Sequence, residues 1–451
     1  MTSMQRLRFL RRAAVFALAG FTSAAGAQDF THKAPAQSRP IAIVGGTVHP
    51  VSGPSIPNGH VVFDNGRITA VGPGVPRLGQ DVERIDATGL HIYPGLFGAI
   101  TDMGLNEVAS TRATIDVREV GDFTPEVRAA VAVNPDSAHF PVARSNGILT
   151  VGVVPTGGRV AGRAAVMRVD GWTWEDKTVL ENAGLVVVFP RVRPVTDWWM
   201  NRSEEDQLRD IAADRRTIDT YFDQAQDYVR QRAADPARPV DQRFEAMRPF
   251  LPDASGKPAQ RPILLYASDV DQIAQGIAWA LDRGLRPILV GGRDAPMVAE
   301  LLKTNDIPVI VTGTFGFPRR ADSPHDDAFT LPLRLEAAGI RWCLASGDET
   351  ANERNLPYQA AKAVAYGLSV DRAIRAITLS PAEILGVGDR LGSLEQGKSA
   401  TLIVTTGNPL EITSDVRMAF VDGRRIDLSN RQIKLFEKYL EKYRQLGLIG
   451  R

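Results

Sequence analysis

The chain has 451 residues, of which 44% are hydrophobic and 23% are charged, and its formal net charge is +1 at pH 7. These values are ordinary for a globular protein and give no sign of a disordered, collagenous or membrane-spanning chain. The length is too great for one small domain, but it fits a barrel of roughly 250 residues with a satellite domain.

Residues 1–27 have the pattern of a secretory signal peptide. Four arginines precede a short apolar run at 13–21, and Ala25-Gly26-Ala27 is a small-x-small cleavage motif. The apolar run is about half of the ~20 residues that span a bilayer, so we expect no lasting membrane anchor. We therefore expect a soluble mature chain that begins at Gln28 and is periplasmic or otherwise exported. Arg11-Arg12 also fits the twin-arginine route, and the sequence does not decide between the two export routes.

Charge and cysteine content narrow the range of partners. Without residues 1–27 the chain has 49 basic and 52 acidic residues and no basic patch, so nucleic acid is not expected as a partner. Cys343 is the only cysteine, which excludes an intrachain disulfide. Because it lies in an apolar run at 340–345, we expect a buried, unreactive thiol.

Both ends of the expected mature chain predict β structure. Residues 28–40 have the composition of a flexible lead-in, and residues 41–92 contain short β-type runs separated by turn residues. Asn65-Gly66 between two such runs is a strong hairpin signal. A similar pattern returns in residues 393–430, with Asp422-Gly423 as a turn. We predict that the two segments form one small β-sandwich domain.

The central residues, 93–392, alternate β-type runs with helical patterns, which is typical of a parallel sheet. Eight candidate strands predict an α/β fold with a TIM-like (β/α)8 barrel. Their ranges are 96–101, 148–154, 165–169, 185–189, 263–266, 287–290, 308–312 and 342–345. A charged helical insertion occupies about 200–247, and we assign it no chemistry. Residues 431–451 form a C-terminal helix whose amphipathic pattern favours packing on its own domain over an oligomer contact.

Several stretches carry a resemblance to a known family. They are HIYPGLFGAITDMG (91–104), RPILLYASDVDQI (261–273), ASGDETANERNLPYQAAKAVAYGL (345–368) and ITLSPAEILGVGDRLGSLEQGKSATLIV (377–404). Together they resemble the amidohydrolase superfamily, most nearly its imidazolonepropionase-like branch. The resemblance implies one or two divalent metals such as zinc at the barrel mouth, and hydrolysis of carbon–nitrogen bonds other than peptide bonds. The implied ligands are His-x-His on strand one, Lys or Glu on strand four, histidines on strands five and six, and Asp on strand eight.

The sequence departs from that ligand pattern at nearly every position. The departures are Ile100 and Asp102 for His-x-His, Phe189-Pro190-Arg191 at the end of strand four, Tyr266 or Ser268 on strand five, and Gly291-Gly292 near the sixth-strand position. Asp348 alone keeps the expected residue type and is our candidate catalytic residue. Asp102, Tyr266 and Ser268 are candidate pocket residues.

A metal site is therefore not expected, and neither is a metal cofactor such as zinc. The six histidines are scattered, and no two stand at metal-ligand spacing. Asp348 with Asp102 offers two oxygen ligands, fewer than the three protein ligands typical of catalytic zinc. The glycine-rich run 157–163 has two interpretations, a backbone cradle for an anion or a tight barrel turn.

Three classes of function remain open. The first is an exported hydrolase with a degenerate metal site, in which Asp348 is the general base. The second is a catalytically silent barrel that binds a small molecule or a partner protein, and the third is a subunit that supports an active relative. The resemblance favours the first. The physical argument slightly favours the second, because hydroxide generation without a metal would rest on one carboxylate. In either case we expect a small-molecule ligand in the barrel mouth, and the sequence is compatible with a homo-oligomer.

Overall fold

The computed structural model describes residues 28–29, 31–196, 200–320, 322–347 and 350–450. The predicted signal peptide, residues 1–27, and the candidate catalytic residue Asp348 lie outside these ranges. In the described ranges, no helix combines the length and the apolar character needed to cross a membrane.

One eight-stranded sheet combines both ends of the chain. Its strands are β1 (Ile41–Val48), β2 (Ile56–Asp64), β3 (Arg67–Pro73), β4 (Glu83–Asp86), β5 (His91–Pro94), β14 (Leu402–Thr405), β15 (Val416–Val421) and β16 (Arg424–Arg425). The order is β16-β15-β14-β5-β1-β2-β3, and β4 pairs with β1. The antiparallel pair β5–β14 joins the two ends, with Ile92 opposite Val404. Both residues of the predicted Asn65-Gly66 turn have positive φ, as a tight hairpin turn requires.

The second eight-stranded sheet is a nearly closed barrel. Its strands are β6 (Leu96–Thr101), β7 (Ile148–Val153), β8 (Val160–Arg168), β9 (Thr178–Val188), β10 (Ile263–Ala267), β11 (Pro287–Gly291), β12 (Val309–Thr312) and β13 (Trp342–Ala345). They are ordered as in the chain, and β13 lies against β6. The predicted fold class, a TIM-like α/β barrel beside a small β domain, is confirmed.

One strand of the barrel departs from the expected all-parallel arrangement. β8 is antiparallel to both β7 and β9, whereas the other paired neighbours are parallel. The connections on either side of β8 are residues 154–159 and 169–177. Both are shorter than the dozen or more residues that a parallel crossover needs, so only an antiparallel strand can be joined this way.

Most helices lie outside the barrel strands and cover them. They are α1 (Ala129–Ala132), α2 (His139–Arg144), α3 (Trp174–Lys177), α4 (Glu204–Ala234), α5 (Gln242–Met247), α6 (Val270–Asp282), α7 (Ala299–Thr304), α8 (Asp327–Ala337), α9 (Leu356–Ala365), α10 (Val370–Ala376), α11 (Leu379–Ile384) and α12 (Arg431–Gln445). Short 3-10 helices occupy Arg112–Thr114, Arg248–Phe250, Ala295–Val298 and Thr350–Asn355. In α6, Ile273, Ile277 and Ala280 are buried at the spacing of one helix face.

The predicted insertion at 200–247 contains α4 and α5. α4 begins after Ser203, whose side chain accepts a hydrogen bond from the backbone N–H of Asp206. Its buried face packs on α6 through an edge-to-face contact between Phe222 and Trp279. Its charged residues are mostly exposed, as expected for an element without assigned chemistry.

Alternate residues of the barrel strands face two separate apolar cores. In β10, Leu264 and Tyr266 belong to the core inside the barrel, whereas Ile263 and Leu265 belong to the layer between strands and helices. This alternation follows from the two-residue period of a strand. Ile384, at the end of α11, lies beside the amino ends of the strands and packs into the inner core. The opposite, carboxyl end of the strands is the mouth of the barrel.

The residues expected to form a flexible lead-in, 28–40, are partly fixed by buried charges. Asp29 forms ion pairs with Lys33 at 2.7 Å and with Arg144 at 2.9 Å, and all three side chains are almost completely buried. Gln28 also forms a bridge with Ser137. The sequence pattern did not indicate this anchoring, because the partner Arg144 lies more than a hundred residues away.

The C-terminal helix α12 also differs from expectation. None of its residues is buried, so its amphipathic pattern does not pack on its own domain. Asn430 fixes the start of the helix, because its side chain accepts from the N–H of Ile433 and donates to the hydroxyl of Ser145.

Candidate functional site

Neutral side chains line much of the barrel mouth. Parallel strands bring their carboxyl ends to one rim, where TIM-barrel proteins place their functional residues. Following the alternation of the inner core, Ile100, Val188, Tyr266 and Thr312 face the mouth on β6, β9, β10 and β12. These side chains are apolar or carry a hydroxyl group, and none of them is ionised at neutral pH.

Asp102 is the acid at the end of β6, and both of its carboxylate oxygens are engaged. The hydroxyl of Thr350 donates to Oδ1, and the side-chain amide of Asn106 donates to Oδ2 at 3.2 Å. Thr350 belongs to the 3-10 helix that follows β13, so its bond joins the last barrel strand to the first. Within the described residues, Asp102 therefore acts as a connector of two mouth loops.

Tyr266 lies at the top of the inner core, and its hydroxyl has no hydrogen-bond partner among the described residues. Burial raises the pKa of Tyr266 above its ordinary value, so the hydroxyl is neutral at physiological pH. Ser268 lies one residue beyond β10, and its backbone N–H donates to Gln272 Oε1 at 3.0 Å. The hydroxyl of Ser268 borders Gly291, where an added Cβ would lie 2.7 Å from Ser268 Oγ.

A cavity of about 560 Å³ opens beside the mouth at the ends of β8 and β9. Val188, Phe189 and Pro190 form one wall, and Gln207 and Ile211 of α4 form another. Gln272 connects the strand ends around it, because its amide donates to the carbonyl of Phe189 at 2.8 Å and its oxygen accepts from Ser268.

Four arginines line this cavity. Three are held by aspartates, in the pairs Arg159–Asp214, Arg193–Asp271 and Arg202–Asp210. Arg191, the fourth, is exposed and forms no ion pair or hydrogen bond with any described residue. It follows strand β9 by three residues, so the cavity has an available guanidinium at the rim of the barrel.

Charges on the other side of the rim satisfy one another. Asp294 is almost fully buried, accepts from the N–H of Val270 at 3.1 Å, and forms an ion pair with Arg320. Arg293 pairs with Asp269 in the same network. These contacts tie together the loops after β10, β11 and β12.

The glycine-rich run 157–163 turns tightly at 157–159 and then enters strand β8. The N–H groups of Arg159 and Val160 both donate to the carbonyl of Asp122, at 2.7 and 3.0 Å. A Cβ on Gly158 would lie 2.6 Å from that oxygen. These amides are therefore engaged by the chain itself, and the tight-turn interpretation is favoured over an anion cradle.

A buried acid, Glu353, lies near the end of β13 and was missed from the sequence. Its Oε2 accepts from the hydroxyl of Ser346 at 2.6 Å. The carboxylate lies against Gly98 of β6, on the outer side of the seam between the first and last barrel strands. In the sequence, the glycine at position 98 of a predicted strand was the one sign that another group approaches the strand closely. A single sequence does not reveal that this group is Glu353.

Two histidines that are far apart in sequence meet in the small β domain. His49 Nε2 lies 2.9 Å from His91 Nδ1, and Ser55 Oγ lies 2.8 Å from His49 Nδ1. The parallel pairing of β1 with β5 produces this contact. Cys343 is completely buried inside the barrel, which confirms its predicted burial, and burial raises the pKa of its thiol.

Sequence comparison finds a family resemblance in the last third of the barrel and the segment that follows it. The profile of the Amidohydrolase family matches residues 276–426, which include the last barrel strands and the return to the small β domain. Over this region the chain is similar to the amidohydrolase family. It is 22% identical over 401 residues to the amidohydrolase tasK of Hapsidospora irregularis, covering 81% of this chain. That match spans only 39% of the relative's length.

Solved structures show the same fold. An amidohydrolase from Thermotoga maritima MSB8 has a TM-score of 0.74 and 24% identity, with 86% of this chain and 99% of that chain covered. A Xaa-Pro dipeptidase with bound methionine in its active site has a TM-score of 0.53 and 15% identity, with 86% and 100% covered. At these identities the likeness concerns the fold.

Several described residues at the expected ligand positions offer no free metal-binding group. Ile100 offers hydrocarbon, Gly291 offers no side chain, and both oxygens of Asp102 are occupied by donors of the chain. No group of three or more His, Cys, Asp or Glu side chains in the described ranges could hold a metal ion. We therefore derive no catalytic step through a metal.

Proposed function

We propose that this chain is an exported barrel that binds a small carboxylate-bearing molecule at its mouth without a catalytic metal. The observation that carries the proposal is the chemistry of the mouth. Neutral groups such as Ile100 and Tyr266 stand where the superfamily resemblance implies metal ligands, and Asp102 is used to connect two loops. Export rests on the sequence pattern of residues 1–27.

The cavity beside the mouth supports a ligand with one negative group. Its volume of about 560 Å³ suits a small molecule. Arg191 is its available cation, and guanidinium groups bind carboxylates through paired hydrogen bonds. Tyr266 and Ser268 do not line this cavity themselves, but they lie on β10 and just after it, and their hydroxyls would offer neutral donors to a ligand that extends from the cavity into the mouth. Free amino-acid binding is known for one protein of similar fold, the Xaa-Pro dipeptidase with bound methionine.

The proposal is tested by calorimetric titration of the full chain with N-acetyl-leucine and with N-acetyl-leucinamide. Arg191→Gln should weaken binding of the acid by about tenfold or more, because a charge-assisted hydrogen bond contributes about 1.5–3 kcal/mol. Binding of the uncharged amide should not change. Arg417→Gln is the matched control, since Arg417 is an exposed arginine on β15 in the other domain. Equal binding of acid and amide by the wild type would contradict the role of Arg191.

Elemental analysis of the same protein should give far less than one zinc, manganese or nickel per chain when it is purified without chelators. Added zinc should not produce turnover of N-acyl amino acids, dipeptides or cyclic amides. If the protein contains stoichiometric metal and turns over one of these substrates, the proposal of a metal-free binding protein is wrong and the protein is a metal-dependent hydrolase.

Hydrolysis of carbon–nitrogen bonds is the second candidate, favoured by the family match, which includes Asp348. As the only family-matched general base, Asp348 would carry the reaction, and Asp348→Asn should reduce turnover by about 100-fold or more. In a binding protein, the same substitution should leave the affinity for N-acetyl-leucine nearly unchanged. Turnover that survives Asp348→Asn would contradict both candidates.

A further inference from the structure

The C-terminal helix α12 separates its apolar and charged residues completely except for one glutamine. At about 100° per residue, seven apolar residues occupy less than half of the helix circumference. They are Ile433, Leu435, Phe436, Tyr439, Leu440, Tyr443 and Leu446, the last one residue beyond the helix. Gln432 is the only polar residue among them. Such a face normally packs on a neighbouring element.

Among the described residues, no element buries this face. Phe436 is 65% exposed, Tyr439 49% and Leu446 60%, and no residue of α12 is buried. Leu448 and Ile449, which follow the helix, are exposed as well. Exposed apolar residues of this size, contiguous on one surface, mark an interaction site.

The charged face of α12 is basic. It carries five basic and two acidic residues, namely Arg431, Lys434, Lys438, Lys442 and Arg444 against Glu437 and Glu441. Lys442 borders Leu435 at one edge of the apolar face, and Arg444 borders Ile433 at the other. Long basic side chains at such edges extend their charged groups outward while their stems cover apolar surface.

We propose that α12 docks on an anionic membrane surface, lying in the plane of the lipid headgroups with its apolar face inward. Its charge segregation, aromatic content and basic polar face are those of interfacial helices, and anionic lipid complements its excess of basic groups. A second copy of the helix is the less suitable occupant. The apolar arc is wider than a two-stranded seam, and pairing two copies would bring basic edges together.

The position where α12 begins allows the helix to contact a membrane. Asn430 is hydrogen-bonded to Ser145, which lies just before strand β7, at the amino end of the barrel strands. The mouth is at the opposite end, so the docking surface and the candidate ligand site do not compete for space.

Vesicle flotation of the full chain tests the proposal. Vesicles of equal parts phosphatidylglycerol and phosphatidylcholine should bind the protein at low salt, and vesicles of phosphatidylcholine alone should bind it about tenfold less or not at all. Raised salt should weaken binding. The double variant Phe436→Ser/Tyr443→Ser should lower binding about tenfold or more, because it removes two aromatic side chains from the apolar face. Residues 1–27 are the same in both proteins, so the comparison isolates α12.

Two controls make the result decisive. Phe317→Ser removes another highly exposed aromatic side chain, from the loop after β12, and should leave vesicle binding unchanged. Thermal melting should be the same for all three proteins, because none of the substituted residues is buried. Failure of the wild type to bind anionic vesicles would overturn the proposal. A second contrary outcome comes from sedimentation without lipid. If the wild type is a dimer, the double variant is a monomer, and neither binds vesicles, the apolar face is covered by a second copy of the chain.

Discussion

Asp29 keeps a negative charge although its side chain is fully covered. Burial raises the pKa of Asp29, but the opposing effect of Arg144, Lys33 and Thr31 is larger, so the pKa lies well below its ordinary value. A carboxylate in this environment stabilises the fold only while its cations are present. The contacts therefore fasten Asp29 and Lys33 to helix α2.

Replacing Asp29 by Asn should lower the free energy of unfolding by about 3–5 kcal/mol, since it leaves the buried Lys33 and Arg144 with only the more distant carboxylate of Asp170, at 3.6 Å. Because the folded-state pKa is depressed, the contribution of Asp29 is present above the unfolded pKa of 3.8 and is lost as the pH falls below it. Chemical denaturation at neutral pH measures the change. Glu83→Gln is the control, since the Arg39–Glu83 pair is exposed and should contribute less than about 1 kcal/mol. A similar loss for both variants would contradict the argument.

His49 should make the small β domain sensitive to acid. Burial, and then the neighbouring His91, lower the pKa of His49 from 6.5 to about 4, and Asp371 opposes them weakly. The unfolded chain therefore binds more protons than the folded chain between these values, so stability should fall as the pH drops from 6.5 to about 4. Ser55 and Tyr93 complete its surroundings, through a hydrogen bond and ring stacking.

His49→Phe keeps an aromatic ring on Tyr93 but removes the titrating group. Melting temperatures measured across this pH range should therefore depend less on pH in the variant than in the wild type. His32→Gln changes an exposed histidine and should leave the slope unaltered. An unchanged slope in His49→Phe would show that other groups cause the acid sensitivity.

At the scale of the element, the seam between β6 and β13 depends on Gly98. A Cβ at this position would overlap the carboxylate of Glu353. Gly98→Ala should therefore destabilise the fold by about 1–3 kcal/mol, the usual cost of overpacking. When Glu353 is already replaced by Ala, Gly98→Ala should destabilise the fold less, because the carboxylate that the added Cβ would overlap is no longer present. Gly53→Ala, at a position with nothing within 4 Å, should change stability by less than about 0.5 kcal/mol. Additive losses at Gly98 and Glu353 would contradict this packing.

The direction of β8 shows the limit of sequence patterns for an element. An apolar run at 165–169 indicated a strand but not its orientation, because alternation is the same in both directions. The short connections at 154–159 and 169–177 contained the necessary information, since a parallel crossover does not fit in them. The strand also begins earlier than expected, at Val160, because its first residues are rich in glycine and alanine.

At the scale of the whole molecule, the fold was accessible from the sequence because it depends on patterns repeated many times. Eight strand signals, the insertion and two hairpin turns all have local causes. The environments of Asp102, Arg191 and Glu353 could not be predicted from the sequence. Each depends on residues, or on a cavity or gap, that distant segments of the chain bring together. The contact between His49 and His91 was hidden for the same reason. Asp348 lies outside the described residues, so its role stays a prediction.

The pairing of β5 with β14 has a consequence for the order of folding. These neighbours are separated by more than 300 residues, so β5 has an unpaired edge until nearly all of the chain has been synthesised. Forming such a distant contact is slow, because the intervening loop must first be closed. An unpaired strand edge is also a template for pairing with other chains. A ribosome-bound chain that lacks residues 402–405 would therefore be prone to aggregation through its small β domain, even when the first barrel strands have formed.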